Sequence, residues 1–210
     1  MSDFYCYRAS LLINLFLLFL CSNPINAQNV VPTDSIKTEE HPVNFLELGF
    51  EYYFPSHWNR QINTINLNGL IGKEVVPKIG LQIFAGATIT HAWGSTIMVN
   101  EFLKEEQYET SAIGIGPIIL FRLQPLTISN FSFSIDATGG IILYNKLFPP
   151  RGDIYNFMFR LGGTIGFYIG DNFRINLGLR RMHISNGQGV GAFNPFYEGE
   201  GLSLNLSKEF

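Results

Sequence analysis

Cysteine is almost absent from this chain, and both copies, Cys6 and Cys21, fall within the first 27 of its 210 residues. If that segment is removed, no disulfide and no thiol chemistry is available to the remainder. Charge is also sparse: Lys, Arg, Asp and Glu make up 15% of the chain, and the net charge is −3. No basic excess exists to hold a nucleic-acid backbone, so no nucleic-acid partner is expected. Beyond the first 27 residues there is no apolar run long enough to cross a bilayer as a helix. The chain also has no Gly-rich phosphate loop and no cluster with metal-ligand spacing, so neither metal nor organic cofactor is expected.

What is present is apolar and aromatic. Hydrophobic residues are 46% of the chain, aromatics 14%, and there are 21 glycines. Residues 1–27 read as a secretory signal peptide. Arg8 is the positive n-region, Leu11 to Cys21 the apolar h-region, and Ile25-Asn26-Ala27 a small-residue cleavage site before Gln28. Leu20 is bulky where a small residue is usual, which argues against a lipoprotein signal at Cys21. Residues 28–43 are polar, with Pro32, Asp34, Glu39, Glu40 and Pro42, and read as a periplasmic tail.

From residue 44 to 210 the hydrophobicity alternates with the period of two that a strand imposes. Eight segments are expected, near residues 44–54, 63–75, 78–91, 109–123, 127–144, 155–169, 172–185 and 199–210. Tight turns are expected at Val76-Pro77, Gln124-Pro125 and Gly170-Asp171. Longer polar loops are expected around 55–62, 92–108, 145–154 and 186–198. Short turns at one end and long loops at the other, with an even strand count, describe an eight-stranded antiparallel transmembrane β-barrel of the outer membrane. Eight strands leave an interior just wide enough for side chains. By parity Arg160, Arg174, Arg180 and Asp136 point into that interior, where an ion-pair network is the simplest reading. The terminal Phe210, after an alternating apolar run, resembles the signal read by the barrel-assembly machinery, an expected partner during biogenesis.

Chemistry concentrates in Arg181-Met182-His183-Ile184-Ser185-Asn186-Gly187. His183 and Ser185 share the face of Ile175, Leu177 and Leu179, which points into lipid. The next strand begins with Glu198 and Glu200, and Glu200 has the outward parity of Leu202, Leu204 and Leu206. Antiparallel pairing then puts Glu200 beside His183 and Ser185. A histidine can take the proton of a serine hydroxyl, and a carboxylate can orient that imidazole. The side chain of Asn186, or backbone N–H groups freed by Gly187 and Gly189, offer an oxyanion hole. Such a donor contributes roughly 2.7–4 kcal/mol in the transition state. Arg181 either snorkels to the interface or pairs with a lipid phosphate. His41, His57 and His91, the last two beside Trp58 and Trp93, read as interfacial residues of the aromatic belt, with some able to line a headgroup site.

His183-Ile184-Ser185-Asn186, an acidic residue near the start of the last strand, and a small outer-membrane barrel resemble the PagL family of lipid A 3-O-deacylases. That resemblance implies an eight-stranded barrel with a Ser-His-Glu triad on its outer surface and hydrolysis of the 3-linked acyl ester of lipopolysaccharide. Carried over, it implies Ser185 as nucleophile, His183 as general base and acid, Glu200 or alternatively Glu198 as orienting carboxylate, and Asn186 with Gly187 at the oxyanion hole. Lipid A would be the substrate and outer-membrane lipid the surroundings, with a homodimer left open. A non-enzymatic structural or adhesion barrel and a lipid A acyltransferase remain the alternatives.

Overall fold

Alternation of apolar and polar residues folds this chain with its hydrophobic face outward. The computed structural model describes residues 43–99, 102–170, 172–187 and 195–210. The expected signal segment, nearly all of the periplasmic tail, His41 and Gly189 lie outside them. Eight strands follow in chain order: β1 (Asn44–Pro55), β2 (Arg60–Val76), β3 (Leu81–Val99), β4 (Glu105–Ile128), β5 (Phe131–Phe148), β6 (Asp153–Ile169), β7 (Phe173–Ser185) and β8 (Phe196–Glu209). Each pairs antiparallel with the next, and β8 returns to β1, closing the barrel. The closure runs from Pro55↔Gly199 to Phe45↔Glu209, and the backbones of Asn44 and Phe210 exchange two further hydrogen bonds.

The expected eight-stranded barrel is therefore the fold, with differences at the strand ends. Most of the loop expected at residues 92–108 instead extends the β3–β4 hairpin, which stays paired out to Val99↔Glu105. Gln124-Pro125 is not a turn. β4 continues to Ile128, and the register shifts between Leu123 and Leu126. Proline lacks the N–H that the ladder needs, so the strand bulges around it and carries on. The turn falls instead at Ser129-Asn130, where Ser129 adopts φ 53°.

The wall sorts residues by parity. Leu46, Leu48, Leu67, Ile113, Phe159, Leu177, Leu204 and many like them stand exposed on the outer surface. Asn66, Thr88, Ser134, Asp136, Arg160 and Asn205 are buried inside. An apolar exterior around a polar, filled interior is the construction of a barrel that spans a membrane.

The lumen is closed by paired charges. Arg122 bonds both Glu47 at 2.6 Å and Asp136 at 2.8 Å. Arg180 reaches Asp136 at 2.6 Å and Glu51 at 3.4 Å, and Arg160 reaches Glu51 at 2.8 Å. Three guanidiniums thus meet three carboxylates across the barrel axis. Arg160, Arg180 and Asp136 belong to this network as parity indicated, joined by Arg122, Glu47 and Glu51. Arg174 does not meet a lumen carboxylate: it donates to Gln124 Oε1 and, at 3.2 Å, to the Tyr168 hydroxyl. Removing one partner from such a buried pair typically costs about 3–5 kcal/mol, because the other charge is stranded. Gly162 lets β6 and β7 lie close at the network, since a Cβ there would come 2.2 Å from the Leu179 carbonyl oxygen and 2.7 Å from Arg180 Cγ. The cavity left among Glu47, Glu51, Asn68, Arg160 and Arg180 is about 10 Å³, roughly what one water needs. It offers no path for a solute.

The outward face can be tested directly. Leu204 lies mid-strand between Phe50 and Leu177. In hydrocarbon, Leu204→Arg should destabilise the barrel by about 2–4 kcal/mol. On a wetted surface the change would stay within about 0.5 kcal/mol. Urea unfolding in lipid vesicles distinguishes the two, and an unshifted midpoint would contradict a lipid-facing β8.

Candidate active site

β7 ends in a series whose odd-numbered residues face outward: Ile175, Leu177, Leu179, Arg181, His183 and Ser185. Its even-numbered residues from Arg174 to Ile184 alternate with them and are buried. The neighbours on either side are fixed by register. Arg181 stands between Leu161 and Glu200, His183 between Phe159 and Glu198, and Ser185 between Phe157 and Phe196. Side chains directly opposite in an antiparallel pair lie about 4.5–5.5 Å apart at Cβ, so each trio forms one rung of the outer surface.

The expected placement of Glu200 beside His183 is corrected by this register. Glu198 is the residue opposite His183, and Glu200 is opposite Arg181. Both carboxylates have outward parity, so parity could not separate them. β8 begins at Phe196, three residues earlier than its alternation suggests, and that offset moves the earlier glutamate onto the His183 rung.

Glu198 is the hub of the site. Its Oε1 lies 3.3 Å from Nδ1 of His183. Its Oε2 lies 3.1 Å from Nε2 of His57 and 2.8 Å from Nη2 of Arg181. Its carbonyl oxygen accepts a hydrogen bond from Ser56 Oγ at 3.0 Å. An acceptor at Nδ1 favours the tautomer protonated there, which leaves Nε2 of His183 as an acceptor. Phe196 stacks on His183 with ring centroids 5.8 Å apart and 21° between planes. The Arg60 guanidinium sits 3.8 Å from the Phe196 centroid, and Nη1 donates to the Phe196 carbonyl at 2.7 Å.

Ser185 is half-buried, on the face and side of the wall that carry His183. Among the described residues its hydroxyl makes no hydrogen bond. Two residues along a strand span roughly 6.6 Å, so the two side chains are near neighbours on one face. Catalytic hydrogen bonds commonly tighten only when substrate is bound. Asn186 is 5% exposed and extends the inward series of Arg180, Met182 and Ile184. The backbone N–H groups of Asn186 and Gly187 are then the donors that follow Ser185 in the chain. Gly187 has φ 81°, where any L side chain is strained, and a Cβ there would come 2.7 Å from the Phe157 ring and require it to shift.

Two contributors escape a reading of the sequence. His57 looks there like an interfacial residue, and Arg60 does not stand out at all. Neither has a local signal, because His57 reaches β8 from the β1–β2 connection and Arg60 from the first position of β2, each more than 130 residues away in the chain. The His91 ring lies 5.1 Å from Trp93, and Nε2 lies 3.3 Å from Ser111 Oγ.

No protein-family model matches this chain, and no curated protein does. Solved structures are similar to it. The crystal structure of the outer membrane enzyme PagL is 15% identical, with a TM-score of 0.50, and the match covers 76% of this chain and 97% of that one. A major outer membrane protein from Thermus thermophilus is 11% identical with a TM-score of 0.38, covering 81% of this chain and 100% of that one. AlkL, solved by solid-state NMR in lipid bilayers, is 11% identical with a TM-score of 0.35, covering 87% and 96%. At such identities the likeness to PagL is one of barrel fold.

The register makes a spectroscopic prediction. In ¹⁵N-histidine-labelled protein, Glu198→Ala should shift the ring-nitrogen resonances of His183 toward a mixture of tautomers. Glu200→Ala should leave them in place. The opposite pattern would put the wrong glutamate beside the imidazole.

Proposed function

We propose that this protein is an outer-membrane serine esterase that hydrolyses the acyl chain ester-linked at the 3-position of lipid A. One observation carries the reading: a histidine–carboxylate pair, Nδ1 to Oε1 at 3.3 Å, stands on the outer face of the wall with a serine on the same face two residues on. A hydrolytic constellation that faces lipid suits a substrate whose ester bonds lie at the membrane surface. The His183-Ile184-Ser185-Asn186 resemblance to the PagL family and the shared barrel fold point the same way.

In this mechanism Nε2 of His183 takes the Ser185 proton as Oγ attacks the ester carbonyl carbon. Glu198 stabilises the imidazolium that forms. Backbone N–H groups at Asn186 and Gly187 receive the negative charge that develops on the carbonyl oxygen. Collapse of the tetrahedral intermediate breaks the ester C–O bond. His183 returns its proton to the departing sugar oxygen, which leaves as the 3-hydroxyl. Water, deprotonated by the same nitrogen, then attacks the acyl-enzyme and releases the fatty acid with Ser185 restored. The ring of Phe196 fixes one face of the imidazole throughout.

Mass spectrometry of lipid A from an outer membrane with and without the protein tests the proposal. Wild-type protein should remove one acyl chain. Ser185→Ala should keep the folded barrel and abolish that loss, and Glu198→Ala should lower kcat on the order of 10⁴-fold. An added chain would make the protein an acyltransferase, and unchanged lipid A would overturn the deacylase reading. Full activity of Ser185→Ala would remove the assigned nucleophile.

A further inference from the structure

We infer that His57 is a positioning residue for His183, acting through Glu198; the inference rests on the esterase reading above. A glutamate has three rotatable side-chain bonds, and packing that leaves 19% of the Glu198 side chain exposed does not by itself decide which oxygen faces His183. Here two donors hold one oxygen. Nε2 of His57 and Nη2 of Arg181 both meet Oε2, at 3.1 and 2.8 Å, and this turns Oε1 toward Nδ1 of His183.

The two donors are not equivalent. Arg181 is a flexible side chain on β7 that is 60% exposed. His57 is a rigid ring on a tethered connection. Ser56 binds the Glu198 carbonyl through both its hydroxyl and its backbone N–H, at 3.0 and 3.4 Å. The backbone N–H of Arg60 closes the connection onto the His57 carbonyl at 3.1 Å, and Gln61 Nε2 donates to the same oxygen at 3.3 Å. The β1–β2 connection is thereby fastened across the β1–β8 seam, with its imidazole aimed at the carboxylate. His57 touches neither His183's acceptor nitrogen nor Ser185, so its contribution passes through Glu198.

The test uses full-length barrel in lipid, with two readouts: acyl release from lipid A, and covalent labelling of Ser185 by a fluorophosphonate, which reports nucleophile activation whatever the natural substrate. His57→Ala should lower kcat and the labelling rate on the order of 10–100-fold, with KM essentially unchanged. His57→Gln, whose Nε2 keeps a donor at a similar reach, should recover most of both. In a Glu198→Ala background, His57→Ala should cost nothing more, because its target is gone. Wild-type labelling by His57→Ala overturns the inference while the esterase reading stands. So does a loss that falls on KM and that glutamine does not rescue, since it would mark a substrate contact. Labelled Ser185 with intact lipid A overturns the deacylase reading and leaves His57 judged by the labelling rates. A wild-type serine that neither labels nor releases acyl chains overturns both.

Discussion

A backbone immersed in hydrocarbon has no solvent to bond to, and every other feature of this molecule follows from how the chain meets that demand. In an antiparallel ring each strand satisfies its two neighbours, and closure leaves no edge. β8 meets β1 from Gly199 to Glu209, down to the reciprocal pairing of Phe210 with Asn44. Once the ring is closed, parity has only two outcomes, lumen or lipid. The hydrophobic surface goes outward, and the polar residues must find partners among themselves.

The lumen solves that second problem with charge. Glu47, Glu51 and Asp136 are shared among Arg122, Arg160 and Arg180, which ties these side chains into one connected set. Burying ions gains little net stability over a well-packed apolar core, but losing any single member is costly. The network therefore locks strands that are distant in sequence, β1 to β4 and β1 to β6 and β7, into one arrangement. A wall held in this way is a rigid platform for groups on its outer side.

The outer site uses that platform. His183 and Ser185 come from one strand, Glu198 from the next, and the β1–β2 connection with the first residue of β2 reaches across the closing seam to add Ser56, His57 and Arg60. Two strands supply the reactive groups and a third contribution steadies them. The aromatic rings of Phe157, Phe159 and Phe196 occupy the neighbouring positions, so the polar cluster is framed by residues suited to acyl chains. A carboxylate, two imidazoles and a guanidinium in such a frame hold one another in place through direct contacts.

The alternation of side chains by itself determined the number of strands, the direction each residue faces, the filled lumen and the outward placement of His183, Ser185 and both glutamates. It missed the bulge at Pro125 because a proline between two apolar runs looks like a turn whether or not the strand resumes beyond it. Register belonged to the tertiary structure alone. A period of two cannot tell Glu198 from Glu200, which share a face, and only the pairing of β7 with β8 chose between them. No local pattern could bring His57 to a carboxylate 141 residues away; that contact exists because the last strand closes the barrel against the first.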